Sequence, residues 1–211
     1  MIGLLGGSFN PAHGAHRRIS LFALDALGLD EVWWLVSPGN VLKPVDGMAP
    51  LGARLSSARE QARRAPIRVT AIEAQMGTRF TVDTLRKLKR RYPKLRFVWL
   101  MGSDNLAQFH RWRGWRAIAR EMPIAVIARP GYDEKAMTSP AMAWLRRWRR
   151  WRGLEYNGAK RSAPALTILR FDPDARSATE IRADDPHWQH RFAGTHQRDM
   201  LTHRAIGTDG L

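Results

Sequence analysis

At 211 residues with 44% apolar side chains, the chain has the size and composition of one sizeable globular domain, which excludes wholesale disorder. No apolar run approaches the roughly 18 residues of a membrane span, and the absence of Cys excludes disulfides, Cys-ligated zinc and thiol catalysis. The 35 Lys and Arg against 19 Asp and Glu give +16, a field that attracts nucleic acid and small phosphorylated substrates alike.

Met1 runs straight into Ile-Gly-Leu-Leu without a basic n-region or a cleavage site, so the expected location is the cytoplasm. Ile2 to Leu5 reads as a first strand ending at Gly6-Gly7. Ala15 to Leu27 repeats Ile19, Phe22, Ala23 and Ala26 at helical spacing, and Gly28 stops that helix. Glu31 to Val36 is a nearly continuous apolar run closed by Ser37-Pro38-Gly39-Asn40. Leu51 to Arg64 predicts a helix, Ile67 to Ile72 a strand, Thr81 to Arg91 a helix and Leu95 to Met101 a strand. Trp115 to Arg120 and Pro123 to Ala128 repeat the alternation. Strands of this kind, buried on both faces, predict an α/β fold, a doubly wound Rossmann-like parallel sheet with helices on both faces, within a single domain spanning 1–211. Ligands of such folds sit beyond the carboxyl ends of the strands, which places Gly6 to His16, Ser37 to Lys43, Gly102 to Asn105 and Arg129 to Gly131 around one crevice. From Met137 to Arg152 the spacing predicts a helix with Trp144, Trp148 and Trp151 on one face, read as a core-packing stripe in preference to a base-stacking platform. The polar tail from Asp184 carries no readable pattern.

The segment Gly6-Gly7-Ser8-Phe9-Asn10-Pro11 has the glycines that let backbone N–H groups approach a phosphate. It is neither a Walker loop nor a G-x-G-x-x-G fingerprint. His13 and His16 follow at i, i+3 on the entrance to a helix, where the dipole and the free N–H groups favour anions. Zinc would need a third protein ligand that the neighbourhood does not supply, so no metal site is assigned to the chain.

Gly6-Gly7-Ser8-Phe9-Asn10-Pro11-x-His13-x-x-His16 resembles the signature of the HxGH nucleotidylyltransferases, and within them the bacterial nicotinate mononucleotide adenylyltransferases. Four later segments resemble that family in its order: Ser37 to Lys43, Thr81 to Leu85, Gly102 to Leu106 with His110-Arg111-Trp112, and Ser177 to Arg182. Two positions depart from the pattern. The family's Gly two residues after the first His is Ala15 here, in the order His13-Gly14-Ala15-His16, and Ala178 replaces the second Ser of the C-terminal box.

The resemblance implies in-line attack of the nicotinate mononucleotide phosphate on the α-phosphorus of ATP, giving nicotinate adenine dinucleotide and pyrophosphate in NAD biosynthesis. It implies His16, His13 and Arg182 as catalytic residues. Gly7, Ser8, Phe9, Gly102, Asp104, Ser177 and Thr179 would join them around ATP, and Asn10, Lys43, Thr81 and Trp112 around the acceptor. Mg2+ would be held by substrate oxygens and water. Read without the resemblance, Asp104 suits a helix N-cap equally well, Trp112 suits ordinary packing, and Lys43 a solvated surface. The expected partners are the two small substrates; no membrane is expected, nucleic acid ranks far below them, and a homo-oligomer is compatible with the sequence. The competing readings are another HxGH transferase, acting on nicotinamide mononucleotide or phosphopantetheine, and, behind both, a basic RNA-binding module.

Overall fold

Successive residues of a strand point to opposite faces, and here each face meets its own core. Leu5, Val32, Trp34, Val36, Val98 and Leu100 pack into one core, while Leu4, Trp33, Leu35, Trp99 and Met101 pack into the other. The computed structural model describes residues 1–39, 47–128, 133–149, 163–171, 178–193 and 197–206. Its main sheet is built of β1 Ile2–Gly7, β2 Glu31–Val36, β3 Ile67–Thr70, β4 Phe97–Gly102, β5 Ile124–Ile127 and β6 Leu166–Leu169. All pairs are parallel, in the order β3-β2-β1-β4-β5-β6. The helices are α1 Gly14–Leu27, α2 Leu51–Ala62, α3 Ile72–Gln75, α4 Thr81–Arg91, α5 Ser103–Gln108, α6 Trp115–Glu121, α7 Asp133–Met137, α8 Pro140–Leu145 and α9 Ala178–Asp184.

This is the expected doubly wound α/β sheet. From β1 the chain winds outward to β2 and β3; from β4 it winds the other way to β5 and β6. The carboxyl ends of the neighbouring β1 and β4 therefore part, and open the crevice that ligands of this architecture use. Helix α1 ends where Gly28 adopts the left-handed conformation (φ 55°) and its N–H returns to the last turn. Helix α4 occupies the predicted residues and buries Val82, Leu85 and Leu88 on one face.

Besides β6 and the short helices α3, α5 and α7, which the sequence reading left unassigned, three regions differ from it. β3 stops at Thr70 because the buried Asp199 carboxylate accepts from both the Thr70 hydroxyl and the Ala71 N–H, each at 2.8 Å, and the chain turns into α3. The helix expected from Met137 to Arg152 is interrupted. Ser139 caps α8 through the Met142 N–H at 3.1 Å with Pro140 at the first helical position, and a 3-10 turn, Arg146–Trp148, follows α8. Trp144 and Trp148 keep their pairing, with rings 4.3 Å apart, but both are half-buried, and Trp151 lies outside the described residues. The tail beyond Asp184 is structural. Trp188 is buried against α2, and the two-residue strands β7 Gln197–Arg198 and β8 Ala205–Ile206 form a hairpin. Between those strands, Met200 takes the N–H of Val69 through its sulfur, covering the edge that β3 would otherwise expose.

Candidate active site

The segment after β1 is shaped by close approaches that only small residues allow. A Cβ on Gly6 would lie 2.6 Å from the Trp99 ring, and one on Gly7 would lie 3.2 Å from the Phe9 ring. Phe9 has a positive φ of 47°, which costs a non-glycine residue about 1–2 kcal/mol. Its ring anchors that conformation, being 1% exposed and stacked on Trp34 at 5.0 Å. Phe9 is thus a core side chain, and it can meet a ligand only through its backbone.

His13 sits at the N-cap of α1 and His16 in its first turn, with ring centroids 4.0 Å apart. The His13 N–H donates to Nδ1 of His16 at 3.3 Å, which puts the His16 ring proton on Nε2. A relay fixes the turn from below: Trp34 Nε1 donates to Ser20 Oγ, and Ser20 Oγ donates to the His16 carbonyl, each at 2.8 Å. Ala15, the departure from the family pattern, is helical and 2% exposed, so its Cβ is packed inside.

The C-terminal element reaches the same loop. Arg182 on α9 donates through Nη1 to the Asn10 carbonyl at 2.5 Å, across 172 positions of sequence, and through Nη2 to Thr179 Oγ1 at 3.4 Å. The Asn10 side chain faces elsewhere: Nδ2 donates to the Gly47 carbonyl and Oδ1 accepts from the Ala49 N–H, so it braces the segment that leads into α2. Gly102 ends β4 and is the N-cap of α5, and Asp104 is the second residue of that helix. The alternative reading of Asp104 as an N-cap thus falls on Gly102 instead.

Thr81 begins α4. Trp112 lies near it, because Arg113 rests over the Phe80 ring at 4.4 Å and Gly114, with φ 63°, packs on Val82. The half-buried Trp112 ring meets Phe109 and Trp99 edge to face, at 5.4 and 6.3 Å. Gly7, Ser8, His13, His16, Thr179 and Arg182 are thus brought to one loop, with Gly102 and Asp104 across the β1/β4 cleft. Thr81 and Trp112 lie on adjacent segments, joined by the Phe80–Arg113 and Val82–Gly114 contacts. Ser177, Lys43 and Arg129 to Gly131 lie outside the described residues.

Sequence reasoning missed Arg54. Its guanidinium, 1% exposed, donates to the carbonyls of Ala49 (2.8 Å), Ser8 (2.8 Å), Ser37 (2.7 Å) and Pro38 (3.2 Å). Burial lowers its pKa to about 10, which leaves it cationic at neutral pH. A signal was present in the sequence. Leu51, Arg54, Leu55 and Ala58 repeat at i, i+3, i+4, i+7, so an arginine occupies the apolar stripe of α2. Ser57 on the same helix accepts from the Ala12 N–H at 3.1 Å. Among the described residues no group of three His, Asp or Glu side chains is placed to hold a metal ion.

Comparison with known proteins gives three results. Residues 4–184 match the family described as cytidylyltransferase-like. A protein of Erythrobacter litoralis named "Probable nicotinate-nucleotide adenylyltransferase" is 68% identical over 204 residues, covering 97% of this chain and 93% of its own. One of the same name from Cereibacter sphaeroides is 52% identical over 186 residues, covering 87% and 96%. Among solved structures, Plasmodium falciparum nicotinic acid mononucleotide adenylyltransferase complexed with NaAD superposes with a TM-score of 0.64 at 16% identity, over 86% of this chain and 82% of that one. At that identity the likeness speaks for the fold.

Proposed function

The chain belongs to the cytidylyltransferase-like family, and we propose that within it the protein transfers the adenylyl group of ATP to nicotinate mononucleotide. A phosphate oxygen of the mononucleotide attacks the α-phosphorus, the bond from that phosphorus to the bridging oxygen breaks, and pyrophosphate leaves with the electron pair. Nicotinate adenine dinucleotide remains. The protein's work in such a displacement is alignment and charge neutralisation.

One observation carries the reading: Arg182, 172 residues downstream, lands on the Asn10 carbonyl of the loop that also presents the His13–His16 turn. Two cationic or donor groups from opposite ends of the chain thus converge where β1 and β4 part. His16 would donate from Nε2 to a phosphate oxygen, with His13 beside it. Arg182, with Thr179 and Ser177, would grip the triphosphate by its planar fork of donors. Gly7, Ser8 and Phe9 contribute backbone N–H groups, and Asp104 with Gly102 faces the ATP ribose. Trp112 would stack on the pyridine ring, Thr81 and Lys43 meet its carboxylate or phosphate, and Asn10 serves the acceptor side by bracing residues 47–49.

Guanidinium and N–H groups donate to phosphate oxygens, and imidazole nitrogens are poor ligands for Mg2+, which takes oxygens; this fits Mg2+ carried by the nucleotide, where it would neutralise phosphate charge. A cytoplasmic location goes with this reading, since both substrates are charged phosphate esters. Pyrophosphate release measured with ATP, Mg2+ and either nicotinate or nicotinamide mononucleotide tests it. Turnover with the nicotinate form is expected; no release with either would sink the reading.

A further inference from the structure

Arg54 poses a problem that the reaction explains. It is a permanent cation, 1% exposed, and its four partners are all main-chain carbonyls. Burying a charge without a counter-charge is costly, and an apolar residue on the α2 stripe would fill the position more cheaply. The carbonyls it collects lie on three separate segments: Ser8 after β1, Ser37 and Pro38 after β2, and Ala49 before α2.

Peptide planarity turns this into an orientation. In a trans peptide the carbonyl and the following N–H point in opposite directions. Drawing the Ser8 and Pro38 carbonyls towards Arg54 therefore turns the Phe9 and Gly39 N–H groups away from it, outward at the carboxyl ends of β1 and β2. Ser37 and Ala49 are each followed by proline, which has no N–H to present. Neither the Phe9 nor the Gly39 N–H donates to another described residue. The positive φ of Phe9 belongs to the same arrangement, a backbone bend of the kind that forms anion-binding concavities.

Resting on the transferase reading above, we propose that Arg54 is a positioning residue for adenylyl transfer. It clamps the loops after β1 and β2 so that the Phe9 and Gly39 N–H groups face the phosphates, and the polyphosphate supplies a counter-charge that none of its partners among the described residues carries. It acts through the backbone and does not touch substrate.

The test compares Arg54→Lys, which keeps the charge but cannot span four carbonyls, with Arg17→Met. Arg17 also serves main-chain carbonyls, those of Gln61 and Arg63 at the far end of α2, each at 2.8 Å. Three quantities are read: circular dichroism, kcat and KM for each substrate, and the rise in Tm produced by ATP. Folded R54K is expected to lose at least tenfold in kcat/KM for ATP and at least half of the ATP-induced rise in Tm. R17M should lose Tm alone. A folded R54K with wild-type kinetics and a wild-type response to ATP overturns the proposal, whatever its own Tm. Should R54K fail to fold, Gly39→Pro, which removes the presented N–H, is compared with Gly39→Ala, whose Cβ meets nothing within 4 Å. A fivefold or larger loss in kcat/KM confined to G39P supports the clamp, and equal behaviour of the two overturns it. If the wild type releases no pyrophosphate, the transferase reading fails, and the ATP-dependent change in Tm still decides Arg54.

Discussion

His16 is held from three sides before any ligand arrives. Its Nδ1 takes the His13 N–H, its carbonyl takes the Ser20 hydroxyl, and its ring leans on Phe9 at 4.8 Å. Such fixing matters because a donor aimed at developing charge is worth most when it need not reorganise. His16→Ala should therefore lower kcat by about 10²–10³-fold, the usual cost of one preorganised donor. Its structural cost is that of a weakened cap, about 1 kcal/mol. A thermal melt read beside steady-state kinetics separates the two effects, and an unchanged kcat in a folded variant removes His16 from the mechanism. At the same scale, Ala15 adds a Cβ that is buried within the first turn of α1.

At the scale of elements, the junction of α3 and α4 rests on Glu73. Its Oε1 lies 3.0 Å from Thr84 Oγ1, which in turn lies 2.9 Å from Thr78 Oγ1, so one carboxyl ties α3 to the start of the helix that carries Thr81. Desolvation raises the Glu73 pKa to about 7, against an ordinary 4.5, and the Thr84 hydroxyl opposes this only in part. The native state therefore holds a proton that the unfolded chain has released. Stability from this group is complete below about pH 4.5, declines up to about pH 7 and levels off above it, by a total on the order of 3 kcal/mol. Glu73→Gln abolishes the dependence. The Tm of wild type minus that of E73Q should fall between pH 5 and pH 7 and level off above it, and a difference that is flat across that range would contradict the assignment.

Elements also show what was legible in the sequence. β2, β4 and β5 were readable as nearly continuous apolar runs, β1 as a short apolar run ending in paired glycines, and α1 and α4 because a stop glycine and a clean apolar stripe mark them. β6 escaped, since four residues following an Arg-rich stretch carry too little pattern. The tail escaped because its anchors act singly: Trp188 fills a hole on α2, and Asp199 satisfies the Thr70 hydroxyl and three backbone N–H groups. The histidine pair and Arg182 could be found as motifs. Arg54 stood out only as an arginine on an apolar stripe; its role could not be read, because its partners are carbonyls, which every residue possesses.

Across the whole molecule the charge of +16 needs a destination. Several of the cations lie over the protein's own aromatic rings, which orders them without neutralising them. Arg116 lies 4.4 Å over the Trp115 ring, Arg120 and Arg147 flank Trp144 at 5.6 and 5.8 Å, and Arg147 covers Trp148 at 4.9 Å. Indole faces stacked by guanidinium groups are not open platforms for a base, which weighs against the RNA-binding alternative at that surface. The field of the whole +16 is long-ranged, and it draws both polyanionic substrates toward a cleft whose own ligand groups are few. Long-range attraction is screened by salt, with a Debye length falling from about 10 Å at 0.1 M to about 3 Å at 1 M, whereas contacts inside the cleft are screened far less. Raising potassium chloride from about 0.05 to 0.5 M should thus lower kcat/KM for ATP and for the mononucleotide several-fold. The value of kcat, set by groups already in contact with the phosphates, should change little. A kcat/KM that is indifferent to salt would mean that the excess charge lies too far from the cleft to act on the substrates; a fall in kcat of the same size would mean that the His16 and Arg182 contacts are themselves open to solvent during the transfer.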